Sequence, residues 1–175
     1  VHLPVLRELA ARGTPFVGVL FAGRMLTDAG PKVLEFSCRL GDPEAQVLLP
    51  RLEGDLLGAM AGAAAGDAAS PALAVSDQAA VTVVIAAADY PARGDSGTPI
   101  EGIEDAESEG ALVFQAGTAM HKGRVVTNGG RVLDVTGLGP SVEEARERAY
   151  EACGRISFEG MRFRRDIASR AVNVA

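Results

Sequence analysis

Three residues at alternate positions carry the clearest chemical signal in the chain: Glu35, Ser37 and Arg39. They lie in the run PKVLEFSCRLGDPEAQ, residues 31–46, where Val33, Leu34 and Phe36 surround the carboxylate. An acid inside an apolar strand is costly to bury unless a cation or hydrogen bonds compensate it. Alternate residues of a strand share a face, so Ser37 joins Glu35, and Arg39 does too if the strand persists that far. A carboxylate, a hydroxyl and a guanidinium in one row suit a metal–phosphate site, with Glu35 holding Mg²⁺ and Arg39 facing an anion. The plainer alternative is a solvated carboxylate on an edge strand and a surface arginine. Beyond them, Gly41 and Asp42 begin a turn in which Asp42 is placed as a helix N-cap and Pro43 at the first helical position. A helix N-terminus also offers N–H groups to an anion, so capping and phosphate contact are compatible there.

The elements that must hold these residues are legible in outline. Leu3, Val5, Leu6 and Leu9 form a helical stripe that Gly13 stops. Phe16 to Leu26 is a strand, Thr27 to Pro31 a turn, and Lys32 to Leu40 the returning strand of a hairpin. A helix carrying Val47, Leu48 and Leu49 is interrupted at Pro50, and an Ala-rich helix runs from about Asp55 to Ala65. Gly66 to Ser76, rich in Gly, Ser and Pro, is the best boundary. After it, Ala79 to Ala88 is an apolar strand of the kind buried on both faces. Residues 89–97 read as a loop and Ile103 to Glu109 as an acidic, solvent-facing stretch, while Leu112 to Phe114 is a short strand. Arg124 to Thr127, Asn128-Gly129-Gly130 and Arg131 to Val135 read as a second hairpin on the Asn-Gly signal. His121-Lys122-Gly123 is a solvated loop. Ser141 and Glu144 form a capping box for an amphipathic helix reaching Ile156, with Val142, Ala145, Ala149 and Cys153 inward.

Composition narrows the function classes. The 175 residues hold one ordinary domain or two small ones, with no Trp and a core built from small and aliphatic side chains. A net charge of −6, with one basic cluster at Arg162 to Arg165, disfavours nucleic-acid binding. Two cysteines, Cys38 and Cys153, make no disulfide framework, so a reduced, cytoplasmic setting is the simpler expectation. No apolar run approaches the roughly 20 residues that span a bilayer, and no signal-peptide pattern is visible.

Glu-x-Asn-x-Arg on the second strand of a hairpin resembles the metal-binding strand of ATP-grasp ligases. The longer run, with Gly41-Asp42-Pro43-Glu44-x-Gln46 behind it and Gly18 to Gly23 ahead, resembles the phosphoribosylamine–glycine ligase (glycinamide ribonucleotide synthetase) family. The second half resembles that family's C-terminal domain in collinear order. Its motifs are Asp89-Tyr90-Pro91, Phe114-Gln115-Ala116-Gly117-Thr118, Val125 to Leu133, and Arg165-Asp166-Ile167-Ala168-x-Arg170-Ala171. Departures from the family pattern are Ser37 for Asn, Gln115 for His, Leu40 for Phe and Ala168 for Gly.

The resemblance implies an α+β chain. Residues 1–65 are the C-terminal remnant of an ATP-grasp domain (a β-hairpin plus helices), 66–78 a linker, and 79–175 a small β-rich domain of the barrel-sandwich type. An N-terminal domain and most of the ATP-grasp unit are expected ahead of Val1. The implied reaction joins glycine to 5-phosphoribosylamine with ATP, through a glycyl phosphate, in purine biosynthesis. By the same resemblance Glu35 and Ser37 hold Mg²⁺ or Mn²⁺, Arg39 is catalytic, and Arg39, Gly41 and Asp42 face the phosphorylated substrate or the acyl phosphate. Two rivals stay open: a catalytically silent interaction module, motivated by Ser37 and Gln115, and another ATP-grasp carboxylate–amine ligase.

Overall fold

The computed structural model describes residues 1–67 and 72–172, which form two compact units. Residues 68–71 of the expected linker lie outside the described residues.

The first unit comprises Val1–Ala45 and Leu52–Ser76. Helix α1 spans His2–Ala11, with Val5, Leu6 and Leu9 of the expected stripe half-buried and Leu3 exposed. It ends at Gly13, whose φ of +76° suits glycine. Strands β1 (Phe21–Thr27) and β2 (Gly30–Ser37) make the antiparallel hairpin, closed where the Thr27 hydroxyl donates to the Gly30 carbonyl at 2.7 Å. The first strand begins at Phe21, five residues later than its composition suggests, where its pairing with Ser37 starts. A two-residue strand, β3 (Leu52–Glu53), pairs with β4 (Ala74–Val75). Helix α3 (Leu56–Ala65) is capped as its sequence requires. The Asp55 carboxylate accepts from Gly58 N–H at 2.8 Å, and Gly66 turns left-handed at φ +73°.

The second unit is Gln46–Arg51 with Asp77–Ala175. Helix α2 (Ala45–Leu48) continues into a 3-10 turn at Leu49–Arg51 across the Pro50 break. The main sheet has the order β5-β10-β7, all antiparallel, from β5 (Ala79–Ala86), β7 (Leu112–Gln115) and β10 (Arg131–Gly139). A second sheet, β6-β9-β8, is built from β6 (Asp95–Pro99), β8 (Thr118–His121) and β9 (Arg124–Gly129). Helix α4 (Ile103–Ser108) buries Ala106, so the acidic stretch is a helix with one inward face. Helix α5 (Val142–Arg155) starts at Ser141, whose hydroxyl accepts from Glu144 N–H at 3.2 Å, and buries Ala145, Ala149, Ala152 and Cys153. A short α6 (Ser169–Val172) closes the described chain.

Two expectations fail here for backbone reasons. Asn128-Gly129-Gly130 is no hairpin turn: β9 and β10 belong to different sheets. The tight turn expected of Asn-Gly needs positive φ at both central residues, and none of these three has it. Instead Asn128 N–H donates to Gly117 O at 2.7 Å as the chain crosses between sheets. The real two-residue hairpin is Lys122-Gly123, at φ 48° and 77°, joining β8 to β9. The other failure is residues 95–97, read as the end of a loop and found within the edge strand β6. Gly and Pro in that stretch disguised it.

The unit's packing turns on β10. Gly137 and Gly139 let α5 lie directly on the strand: a Cβ at Gly137 would overlap the Ala145 carbonyl and come within 2.6 Å of Ala149 N. Gly137→Ala is therefore expected to cost roughly 1–3 kcal/mol in a denaturant titration, as overpacking against backbone does. Unchanged stability would mean that α5 does not seat there.

Asp95 supplies a pH test. Hydrogen bonds from Thr98 and then Thr127 hold its carboxyl below the ordinary 3.8, the Thr127 hydroxyl donating at 2.9 Å. A carboxyl depressed on folding adds stability above its unfolded value and loses it as pH falls through the folded one. Asp95→Asn should lower stability at neutral pH and flatten the loss between about pH 5 and pH 3. Parallel acid-unfolding curves would refute the assignment.

Candidate active site

Glu35 and Ser37 lie on β2 as expected, opposite Gly23 and Phe21 of β1. The register slips between Gly23 and Arg24, leaving Leu34 as an extra residue that bulges the strand beside Glu35. Bulges re-aim neighbouring side chains and are frequent next to sites. Gly23 leaves the space that Glu35 uses: a Cβ there would stand 3.1 Å from Glu35 Cγ. The Glu35 side chain is exposed, and among the described residues it has no hydrogen-bond or ion-pair partner.

Arg39 departs from the expected row. Strand pairing stops at Ser37 opposite Phe21, so Cys38 and Arg39 have no partner strand and form a bend. The Arg39 guanidinium folds back, Nη1 donating to Leu40 O at 2.9 Å. Asp42 is not an N-cap. Asp42, Pro43 and Glu44 are a turn with a cis Asp42–Pro43 bond, and helix proper begins at Ala45, whose N–H donates to Gly41 O at 3.0 Å. Asp-Pro-Glu serves a turn as well as a cap, and local sequence does not separate the two. Nor does α2, of four residues, present a free N-terminal Ala45 N–H to an anion.

Gly41 is buried against the Glu44 carboxyl, whose carbon would lie 2.8 Å from a Cβ at Gly41. Glu44 and Gly23 line the same cleft of about 400 Å³, with Phe21, Ala22, Arg24, Leu26 and Pro31. Neither Gly23 nor Glu44 stood out as a site residue by type. The signal that could have found Gly23 is a glycine in register with the lone acid.

No group of three or more His, Cys, Asp or Glu side chains gathers among the described residues. Glu35 and Ser37 offer a carboxylate and a hydroxyl, hard oxygen donors of the kind that a divalent cation such as Mg²⁺ or Mn²⁺ takes. Gln115, at the end of β7, is exposed, and its Oε1 accepts from the Thr118 hydroxyl at 2.7 Å.

Residues 80–170 match the model of the phosphoribosylglycinamide synthetase C domain, and residues 1–45 match that of the same enzyme's ATP-grasp (A) domain. The chain belongs to the phosphoribosylglycinamide synthetase family. Among relatives, it is 48% identical to the phosphoribosylamine–glycine ligase of Mesorhizobium japonicum over 97% of this chain and 40% of that protein. It is 47% identical to the trifunctional purine biosynthetic protein adenosine-3 of Gallus gallus, over 95% of this chain and 17% of that one. The crystal structure of the Thermotoga maritima phosphoribosylamine–glycine ligase superposes with a TM-score of 0.78 at 38% identity, covering 93% of this chain and 40% of that one. The chain thus spans about 40% of the length of the single-function relatives. No helix among the described residues is long and apolar enough to cross a membrane.

In this family member the bend after β2 is testable through its cysteine. Cys38 is exposed, whereas burial pushes the Cys153 thiol up to about 12. A maleimide near neutral pH should label Cys38 in the native state and Cys153 only on unfolding. Equal native labelling would show that α5 does not cover Cys153.

Proposed function

We propose that this chain is the C-terminal part of an ATP-dependent carbon–nitrogen ligase. The whole enzyme joins glycine to 5-phosphoribosylamine, giving glycinamide ribonucleotide, ADP and phosphate, in de novo purine biosynthesis in the cytoplasm. The observation carrying this reading is the lone acid Glu35 set opposite Gly23, beside Ser37, within the stretch matched by the ATP-grasp domain. Residues 1–65 are assigned to the ATP-grasp domain, 66–78 to a linker and 79–175 to the C domain. The remaining ATP contacts are assigned to the N-terminal part of the same enzyme.

In this reading Glu35 and Ser37 hold Mg²⁺ or Mn²⁺, Glu35 through a carboxylate oxygen and Ser37 through its hydroxyl. A metal ion bound there neutralises charge developing on phosphate oxygens. Arg39 swings from the Leu40 carbonyl to meet the phosphorylated substrate or the acyl phosphate, supplying a charge-assisted, two-pronged contact. Gly41 keeps its backbone approachable because it has no side chain. Asp42, exposed at the turn, faces the same substrate. The rival reading, a silent module with the same fold, draws on Ser37 and Gln115, which replace the family's Asn and His.

Glu35→Gln in the full-length protein keeps shape and removes the ligand charge, so turnover should fall by roughly a hundredfold or more while the fold survives. Unchanged turnover across a Mg²⁺ titration would remove Glu35 from the metal. Ser37→Asn restores a longer, stronger oxygen donor and should lower the Mg²⁺ concentration for half-maximal ADP release by roughly 10- to 100-fold. If neither folded form releases ADP in response to glycine and phosphoribosylamine, the silent module stands.

A further inference from the structure

Among the described residues the Glu44 side chain makes no hydrogen bond and no ion pair, so the turn it belongs to does not use its charge. A solvated glutamate extends away from the surface, but this one lies back over the chain. Its carboxyl carbon would stand 2.8 Å from a Cβ at Gly41, and only a glycine at 41 leaves room for it. The carboxylate lines a cleft of about 400 Å³ whose walls include Phe21, Leu26 and Pro31. Apolar walls thin the water around a charge, so a carboxylate there gains more from a cation than one in open solvent. The cation of the cleft itself, Arg24, is exposed and forms no described ion pair with Glu44. The negative charge is left for a ligand.

Gly23 borders both acids of this unit's site. It pairs with Glu35 across the hairpin, a Cβ on it would stand 3.1 Å from Glu35 Cγ, and it lines the cleft with Glu44. All of these residues belong to the first unit. In the reaction proposed above, the glycine carboxylate is the group phosphorylated beside Glu35. The ammonium, one methylene away, takes no part in that step and needs an acceptor close by. We propose that Glu44 binds the ammonium group of the amino-acid substrate, across Gly23 from Glu35. This rests on the ligase reading and on the place given to Glu35 in it. The contact is a charge-assisted hydrogen bond in which the ammonium donates and the carboxylate accepts. Glu44 forms no covalent bond and moves no proton; it selects an amino acid over a plain carboxylic acid.

Isothermal titration calorimetry of the full-length protein, saturated with Mg²⁺ and ADP, tests this with glycine and with glycolate. Glycolate carries a hydroxyl where glycine carries an ammonium, so wild type should bind glycine more tightly by roughly 10-fold or more. Glu44→Gln keeps the shape and removes the charge. It should weaken glycine binding roughly 10- to 100-fold, to near the glycolate level, with ADP affinity and melting temperature close to wild type. In turnover, KM for glycine should rise by a similar factor while KM for ATP holds. Equal glycine affinity in wild type and a folded Glu44→Gln variant would overturn the proposal. So would a wild type that does not bind glycine or binds it no better than glycolate, a comparison that needs no variant. Joint loss of ADP and glycine affinity with a lowered melting temperature marks a structural role and overturns it too. Product formation separates the two readings: glycine binding that depends on Glu44 without turnover supports this inference and sinks the ligase, while turnover indifferent to Glu44 does the reverse.

Discussion

Strand β10 has to be buried on both faces at once, and much of the second unit follows from how its two sides are covered. Its odd-numbered side presents Leu133, Val135, Gly137 and Gly139, and the two glycines bring α5 down to backbone contact. Its even-numbered side presents Asp134 and Thr136, which only a polar partner can cover without a large desolvation penalty. Gln46 is one such partner, and hydrogen bonds from its side chain to Asp134 and to its main chain from Thr136 tie the Gln46–Arg51 segment to a unit otherwise made from residues after Ser76. A stretch that reads by position as the tail of the first half is claimed by the second.

The hairpin carrying Glu35 follows a different logic. Its apolar residues remain exposed, Leu26 at 82% and Leu34 at 66% among them, so burial does not explain the acid's placement. A bulge at Leu34 and a glycine opposite leave Glu35 outward with room about it. In the proposed reading, that room is what a carboxylate holding a hard cation needs.

Elements governed by local chemistry were legible from the residues: the Ser141 capping box, the Gly13 stop, the Ala-rich helix from about Asp55, and the apolar strand from Ala79. So was the position of Glu35 and Ser37 on the returning strand. What escaped depended on partners distant in sequence. Arg39 leaves the row because β1 begins at Phe21 and offers nothing to pair with it. Asn128-Gly129 carries the strongest turn signal in the chain, yet the two flanking strands are drawn into separate sheets, β10 by β5 and β7 and β9 by β6 and β8. The turn geometry that Asn-Gly advertises went instead to Lys122-Gly123, where a lysine adopts the left-handed conformation. Asp42 illustrates a true ambiguity: the same Asp-Pro-Glu triplet satisfies a cap or a turn, and the start of the helix at Ala45 decides it.

The central claim is that Glu35 is a metal ligand in a nucleotide-dependent ligase. Mn²⁺ titration of the full-length protein, followed by electron paramagnetic resonance with ADP and glycine present, addresses it without depending on turnover. Wild type should bind Mn²⁺ at a protein–nucleotide site whose affinity falls by roughly 10-fold or more in Glu35→Gln. The same stoichiometry and affinity in both proteins would contradict the account.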